Sequence, residues 1–94
     1  MFVIILRYKQ TLNEVEKYLD AHRHFLDRYY ASGHFLCSGP QNPRVGGVIL
    51  CKAKNRDEID PIIKEDPFFA NGVASYEVIE FNPNKSIDAL KGII

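Results

Sequence analysis

Ninety-four residues suffice for one core and little more, and the chain is read as a single domain over residues 1–94. Twelve Lys and Arg balance twelve Asp and Glu, and neither end carries a charge run, so a basic stripe for nucleic acid is not expected. No apolar run approaches the roughly 20 residues of a membrane span, and no membrane partner is expected.

Phe2 to Tyr8 is apolar until Arg7, which predicts a strand covered on both faces. The run is too short for a signal-peptide core and has no basic stretch before it. Thr11-Leu12-Asn13-Glu14 has the form of a capping box, in which the Thr11 hydroxyl accepts the Glu14 N–H and the Glu14 side chain returns to the Thr11 N–H. A helix is predicted to start there. Val15, Leu19, His22, Leu26 and Tyr29 follow at spacings of four, three, four and three. At helical geometry these five share one stripe, bordered by Leu12, Tyr18 and Tyr30. Gly33 is the predicted left-handed stop.

His34 to Ser38 is the predicted second strand, ended by Gly39-Pro40, and Gln41 to Arg44 is a loop. Gly46 to Lys52 is the third strand, where the paired glycines invite a bulge or a close backbone approach. Asn55 caps a second helix. Pro61 makes that helix begin irregularly, or start afresh with Asp60 as cap and Pro61 in the first position. Asp66-Pro67 ends it, because the residue before proline is pushed out of helical geometry. Ala70-Asn71-Gly72 is a loop, Ser75 to Phe81 the fourth strand, and Ser86 to Lys91 a last helical turn or two. The order strand, helix, strand, strand, helix, strand is the ferredoxin-like βαββαβ pattern of an α+β fold. It carries a four-stranded antiparallel sheet with both helices on one face.

His22 lies within the apolar stripe, where a histidine is commonly a core residue with its hydrogen bonds satisfied. His24, turned by about 200° from it, faces water. His34 opens a strand and receives no role. Asp66 before a proline is by itself an ordinary turn residue. The Phe68 and Phe69 that follow make a partly dry wall, where a carboxylate–imidazole pair gains strength. Such a pair fixes the tautomer and supports general acid/base work. Ser38 has two readings, a plain strand-end hydroxyl or a hydroxyl pointing into the same pocket beside the Gly39-Pro40 turn.

Metal ligation reads poorly: His22 and His24 diverge on a helix, and no Cys-x-x-Cys or His-x-x-x-His occurs. Gly46-Gly47 enters a strand and makes no phosphate loop. No metal and no cofactor are expected. Tyr8, Tyr18, Phe25, Tyr29 and Tyr30 read as core and interface aromatics, because the central strands offer aliphatics where an RNA-binding sheet needs exposed aromatics. Cys37 and Cys51 sit in apolar strand runs and read as buried, reduced thiols, which fits a cytoplasmic protein.

His22 with Phe25-Leu26, Gly33, Ser38-Gly39-Pro40, Gly47-Val48-Ile49, Asp66-Pro67-Phe68 and Gly72-Val73 resembles the YciI-like (YCII-related) family over roughly residues 1 to 83. The resemblance implies a ferredoxin-like fold related to the dimeric α/β barrels, with a histidine–aspartate catalytic centre. Carried over, these residues are His22 and Asp66. Ser38, Gly39, Pro40 and Phe68 are read, from their place beside this pair, as substrate-binding positions. A few relatives are dehydrochlorinases acting on chlorinated lactones of aromatic degradation. Where members often carry arginine three residues before the histidine, this chain has Leu19, which leaves Arg7 or Arg23 to meet an anion.

The reading that follows is a small cytoplasmic enzyme with a His–Asp dyad for proton transfer on a small organic substrate, lyase-like or isomerase-like. Its rival is a non-catalytic ligand-binding or assembly module on the same scaffold. Val3 and Ile5 alternate with Phe2, Ile4 and Leu6, so the first strand is apolar on both sides. Both helices cover one face only, and the chain is therefore expected to be a homodimer or larger.

Overall fold

The computed structural model describes residues 1–94. Four strands, β1 (Phe2–Tyr8), β2 (Phe35–Pro40), β3 (Gly46–Cys51) and β4 (Ala74–Glu80), form one antiparallel sheet in the order β2-β3-β1-β4. The most continuously apolar strand thus lies inside the sheet, paired on both edges. Phe2, Ile4 and Leu6 point to the helix side and are buried with Val15, Phe25, Ile59 and Phe68. This is the expected ferredoxin-like α+β architecture.

The first helical region departs from the prediction. Thr11 caps α1 (Leu12–Lys17) through its hydroxyl, which accepts the Glu14 N–H at 3.3 Å. The reciprocal half of the capping box is absent, and Glu14 pairs with Lys17 instead at 2.7 Å. At Tyr18 the backbone leaves helical geometry (φ −111°, ψ 6°), and α2 (Leu19–Ala31) begins anew. In one continuous helix Val15 and Phe25 would lie about 80° apart. The break lets both reach the sheet, and Phe25, outside the predicted stripe, becomes the buried anchor of α2 at 2 % exposure. Leu12 and Tyr30, predicted to border the stripe, are exposed. Gly33 is left-handed (φ +85°), as the stop requires.

Gly39 and Pro40 extend β2 instead of ending it, pairing with Val48 and Gly47. Proline is tolerated there because β2 is an edge strand. Of the two predicted uses of the glycine pair, close approach is the one found: a Cβ on Gly46 would lie 1.8 Å from the Leu6 carbonyl oxygen. The register shift falls in β2, between Phe35 and Cys37.

Cys37 corrects the reading of two buried thiols. It is exposed, whereas Cys51 is buried, and both are free. After the shift Cys37 stands opposite Leu50, on the sheet face away from the helices. Burial, followed by the Glu58 charge, pushes the Cys51 thiol up to about 11.

The second helical region begins irregularly. Asn55 caps a 3-10 turn, Arg56–Glu58, and α3 (Ile59–Lys64) continues from it. Pro61 falls in the first turn of α3, where its missing N–H has no helical partner in any case. The residues after Asp66 then form a short helix, α4 (Pro67–Ala70), which sequence reasoning had not separated from the loop. A 3-10 turn at Asp88–Leu90 is what forms of the last predicted helix. No helix is long and apolar enough to cross a membrane.

Candidate active site

Asp66 is placed by local chemistry. Pro67 occupies the first position of α4, and Asp66 is its extended N-cap, with Oδ1 accepting the Phe68 N–H at 3.0 Å. That turn drives the carboxylate inward, where it is 0 % exposed. Oδ1 also accepts from His22 Nδ1 at 2.8 Å, and Oδ2 accepts from the Tyr76 hydroxyl at 2.6 Å. Three donors on one buried carboxylate offset its desolvation. No buried side-chain polar atom in the molecule lacks a partner.

His22 is held as tightly by packing. Its ring stacks on Phe68 with centroids 4.0 Å apart and planes 5° from parallel, and Phe25 lies 5.9 Å away on a tilt. Because a carboxylate only accepts, the Nδ1 contact assigns the ring proton to Nδ1. Nε2 has no protein partner, and His22 borders a cavity of about 580 Å³ between α2 and the sheet. Its side chain is 12 % exposed, open on the cavity side only in part. This arrangement can move a proton at Nε2 while Asp66 holds the opposite edge of the ring.

Tyr76 is the residue that sequence reasoning missed. Burial, then the Asp66 charge and its hydrogen bond, hold the Tyr76 phenol well above its ordinary value, so it remains a donor. The available signal was strand alternation. Tyr76 shares the helix-side face of β4 with Val78 and stands opposite Leu6, so its hydroxyl was bound to enter the core and require a partner.

Ser38, Gly39 and Pro40 all border the cavity, and so does Phe68. Ser38 Oγ shares a hydrogen bond with the Tyr30 hydroxyl at 2.5 Å. His24 is exposed, and His34 Nδ1 meets Ser32 Oγ at 2.7 Å, remote from Asp66. Of the two arginines considered for an anion, Arg7 lies on the opposite sheet face, paired with Glu77 at 2.9 Å. Arg23 borders the cavity and pairs loosely with Asp20 at 3.4 Å. Arg44, from the loop between β2 and β3, borders it too and meets Glu16 of α1 at 2.7 Å. No three His, Cys, Asp or Glu side chains converge in a metal-binding cluster.

A ferredoxin-like sheet, with a small-molecule-sized cavity under one helix and a buried carboxylate behind a histidine on its wall, defines a compact α+β pocket protein. The sequence model of the YCII-related domain matches residues 1–82, and the chain belongs to that family. Among solved structures it is similar to the 5-chloro-2-hydroxyhydroquinone dehydrochlorinase of Burkholderia phenoliruptrix, determined in complex with 2,5-dihydroxybenzoquinone. The TM-score is 0.72 at 20 % identity, covering 87 % of this chain and 94 % of that one. No curated protein matches the sequence.

Proposed function

We propose that the protein is a small cytoplasmic enzyme, working as a homodimer, in which His22 exchanges a proton with a small organic substrate. The carrying observation is the imidazole bound through Nδ1 to a fully buried Asp66, with Nε2 left for the cavity. Nε2 takes a proton from a carbon beside a carbonyl, and the C–H electron pair becomes the C=C of an enolate. In a lyase that pair expels a leaving group such as chloride. In an isomerase the imidazolium returns the proton to a different carbon. Asp66 orients the ring and stabilises its charged form, Phe68 holds its plane, and Ser38, Gly39 and Pro40 bound the substrate. The likeness to a dehydrochlorinase makes chlorinated hydroquinones and hydroxyquinones the first compounds to screen.

The test is a double-mutant cycle on whichever compound is turned over. His22→Gln and Asp66→Asn each abolish most activity, and the double variant loses little more, with a coupling of about 0.5–3 kcal/mol. His24→Gln changes nothing. Full additivity, or an equal loss in His24→Gln, removes the dyad. A ligand that binds in the pocket and is never converted supports the non-catalytic reading.

The dimer rests on the helix-free sheet face, where Val3, Ile5 and Leu50 lie beside the more exposed Val48 and Ile79. Light scattering at micromolar concentration should report twice the chain mass, and Ile79→Lys should return the monomer. A wild-type monomer overturns it.

A further inference from the structure

The pocket has two chemically different ends. His22 marks the deep end, at 12 % side-chain exposure, and its backing carboxylate is wholly buried. Arg44 and Glu16 mark the outer end, with side chains 38 % and 50 % exposed. Both border the cavity, and they approach it from different elements: Arg44 from the β2–β3 loop, Glu16 from α1. Their contact is a single hydrogen bond, Nη1 to Oε1 at 2.7 Å, and the Tyr8 hydroxyl is the other group that meets the guanidinium, so part of the fork stays unused. A part-exposed pair of this kind is weak and readily exchanged. Leu6, Leu19, Leu26 and Ile49 give the same cavity an aliphatic part of its wall, beside the polar Tyr8 and Ser38.

Arg44 places a guanidinium at the rim of the cavity, and in the free chain Glu16 is the anion that meets it. We infer that Arg44 is the specificity-determining residue of this pocket, binding the carboxylate or enolate end of an otherwise apolar small acid, and that Glu16 is the internal counter-ion the ligand displaces. The inference rests on the pocket being the ligand site proposed above, and it adds the chemical class of that ligand. The exchange is favourable because a ligand carboxylate can take two N–H groups of the fork where Glu16 takes one. Arg23, the other guanidinium on the wall, is farther from full pairing, since its Asp20 contact is 3.4 Å. It supplies general positive potential, while Arg44 alone is opposed by a carboxylate that also faces the cavity.

Benzoate and benzamide separate charge from shape, because they share a ring and a volume. Calorimetric titration of the whole chain should show benzoate binding about tenfold tighter than benzamide, as expected for a charge-assisted pair over a neutral one. Arg44→Gln should remove that preference by weakening benzoate alone. Arg44→Lys should keep part of it, since an ammonium offers charge without the fork. Glu16→Gln should tighten benzoate about threefold or more, by deleting the competing anion, and leave benzamide unchanged. This last result is the opposite of what a merely structural Glu16–Arg44 bridge predicts, and it holds even if Arg44→Gln fails to fold. An unchanged preference in Arg44→Gln, a loss of benzoate binding in Glu16→Gln, or no binding of either probe overturns the inference. Benzamide binding that depends on His22 but not on Arg44 would sink Arg44 and spare the dyad. An Arg44-dependent preference indifferent to His22→Gln would do the reverse.

Discussion

Two carboxylates serve the same pocket at nearly the same distance from a basic nitrogen. Asp66 meets His22 at 2.8 Å, and Glu16 meets Arg44 at 2.7 Å. Separation therefore does not distinguish them; surroundings do. Asp66 is buried, accepts three hydrogen bonds and caps a turn, so every partner it holds would be stranded without it. Glu16 stands in water with one contact, so both it and Arg44 can turn to solvent at little cost. One pair is built to stay and holds its ring in place, the other is free to exchange its partner.

The largest effect should come from breaking the buried side. Asp66→Ala strands the Tyr76 hydroxyl, the His22 N–H and the Phe68 N–H together. Denaturant unfolding should show a loss of about 3–5 kcal/mol, the range for removing one partner of a buried pair. A loss as small as a surface substitution gives would show that water enters this site freely.

Tyr76→Phe is the next step down. It leaves Asp66 Oδ2 unpaired and should cost about 1–3 kcal/mol near neutral pH. It also carries a pH signature. Burial and Asp66 hold the folded Tyr76 phenol above its ordinary 10.0, so above that pH the unfolded chain releases a proton the folded chain keeps. The stability from this group is complete below pH 10 and declines as pH rises beyond it. Tyr76→Phe should therefore lose less stability than the wild type between pH 10 and 12. A residual decline should remain from Tyr29, whose phenol is pushed up to about 12 by burial and Glu65, and from Cys51 at about 11. Identical alkaline slopes in both proteins would remove Tyr76 from the buried network.

The smallest effect belongs to the exposed pair. Arg44→Gln should leave the unfolding midpoint unchanged within error, with and without added salt. A clear destabilisation would mean that Glu16 and Arg44 brace the β2–β3 loop, and the contrast between the two carboxylates would narrow.

Much of this was legible in the residues, and the gaps have identifiable causes. The Thr11 cap, the Gly33 stop and the irregular start before Pro61 are read from side-chain chemistry within one turn of chain. The break at Tyr18 was not legible, because the 3.6-residue period from Val15 to Tyr29 is unbroken on paper. Only the need to aim both Val15 and Phe25 at one sheet shows that it must fail. Cys37 was misplaced for a related reason. Its run is apolar, but the register shift before it and the edge position of β2 decide which way it points.

The sequence by itself determined the order and kind of the main elements and the apolar strand at the sheet's centre, because caps, breakers and periodicity act over a few neighbouring residues. The tertiary structure alone decided that Tyr76 completes the hydrogen bonding of Asp66 and that Arg44 crosses to Glu16. Those contacts span 10 and 28 residues, and they exist only once sheet register and loop path have set where each side chain ends.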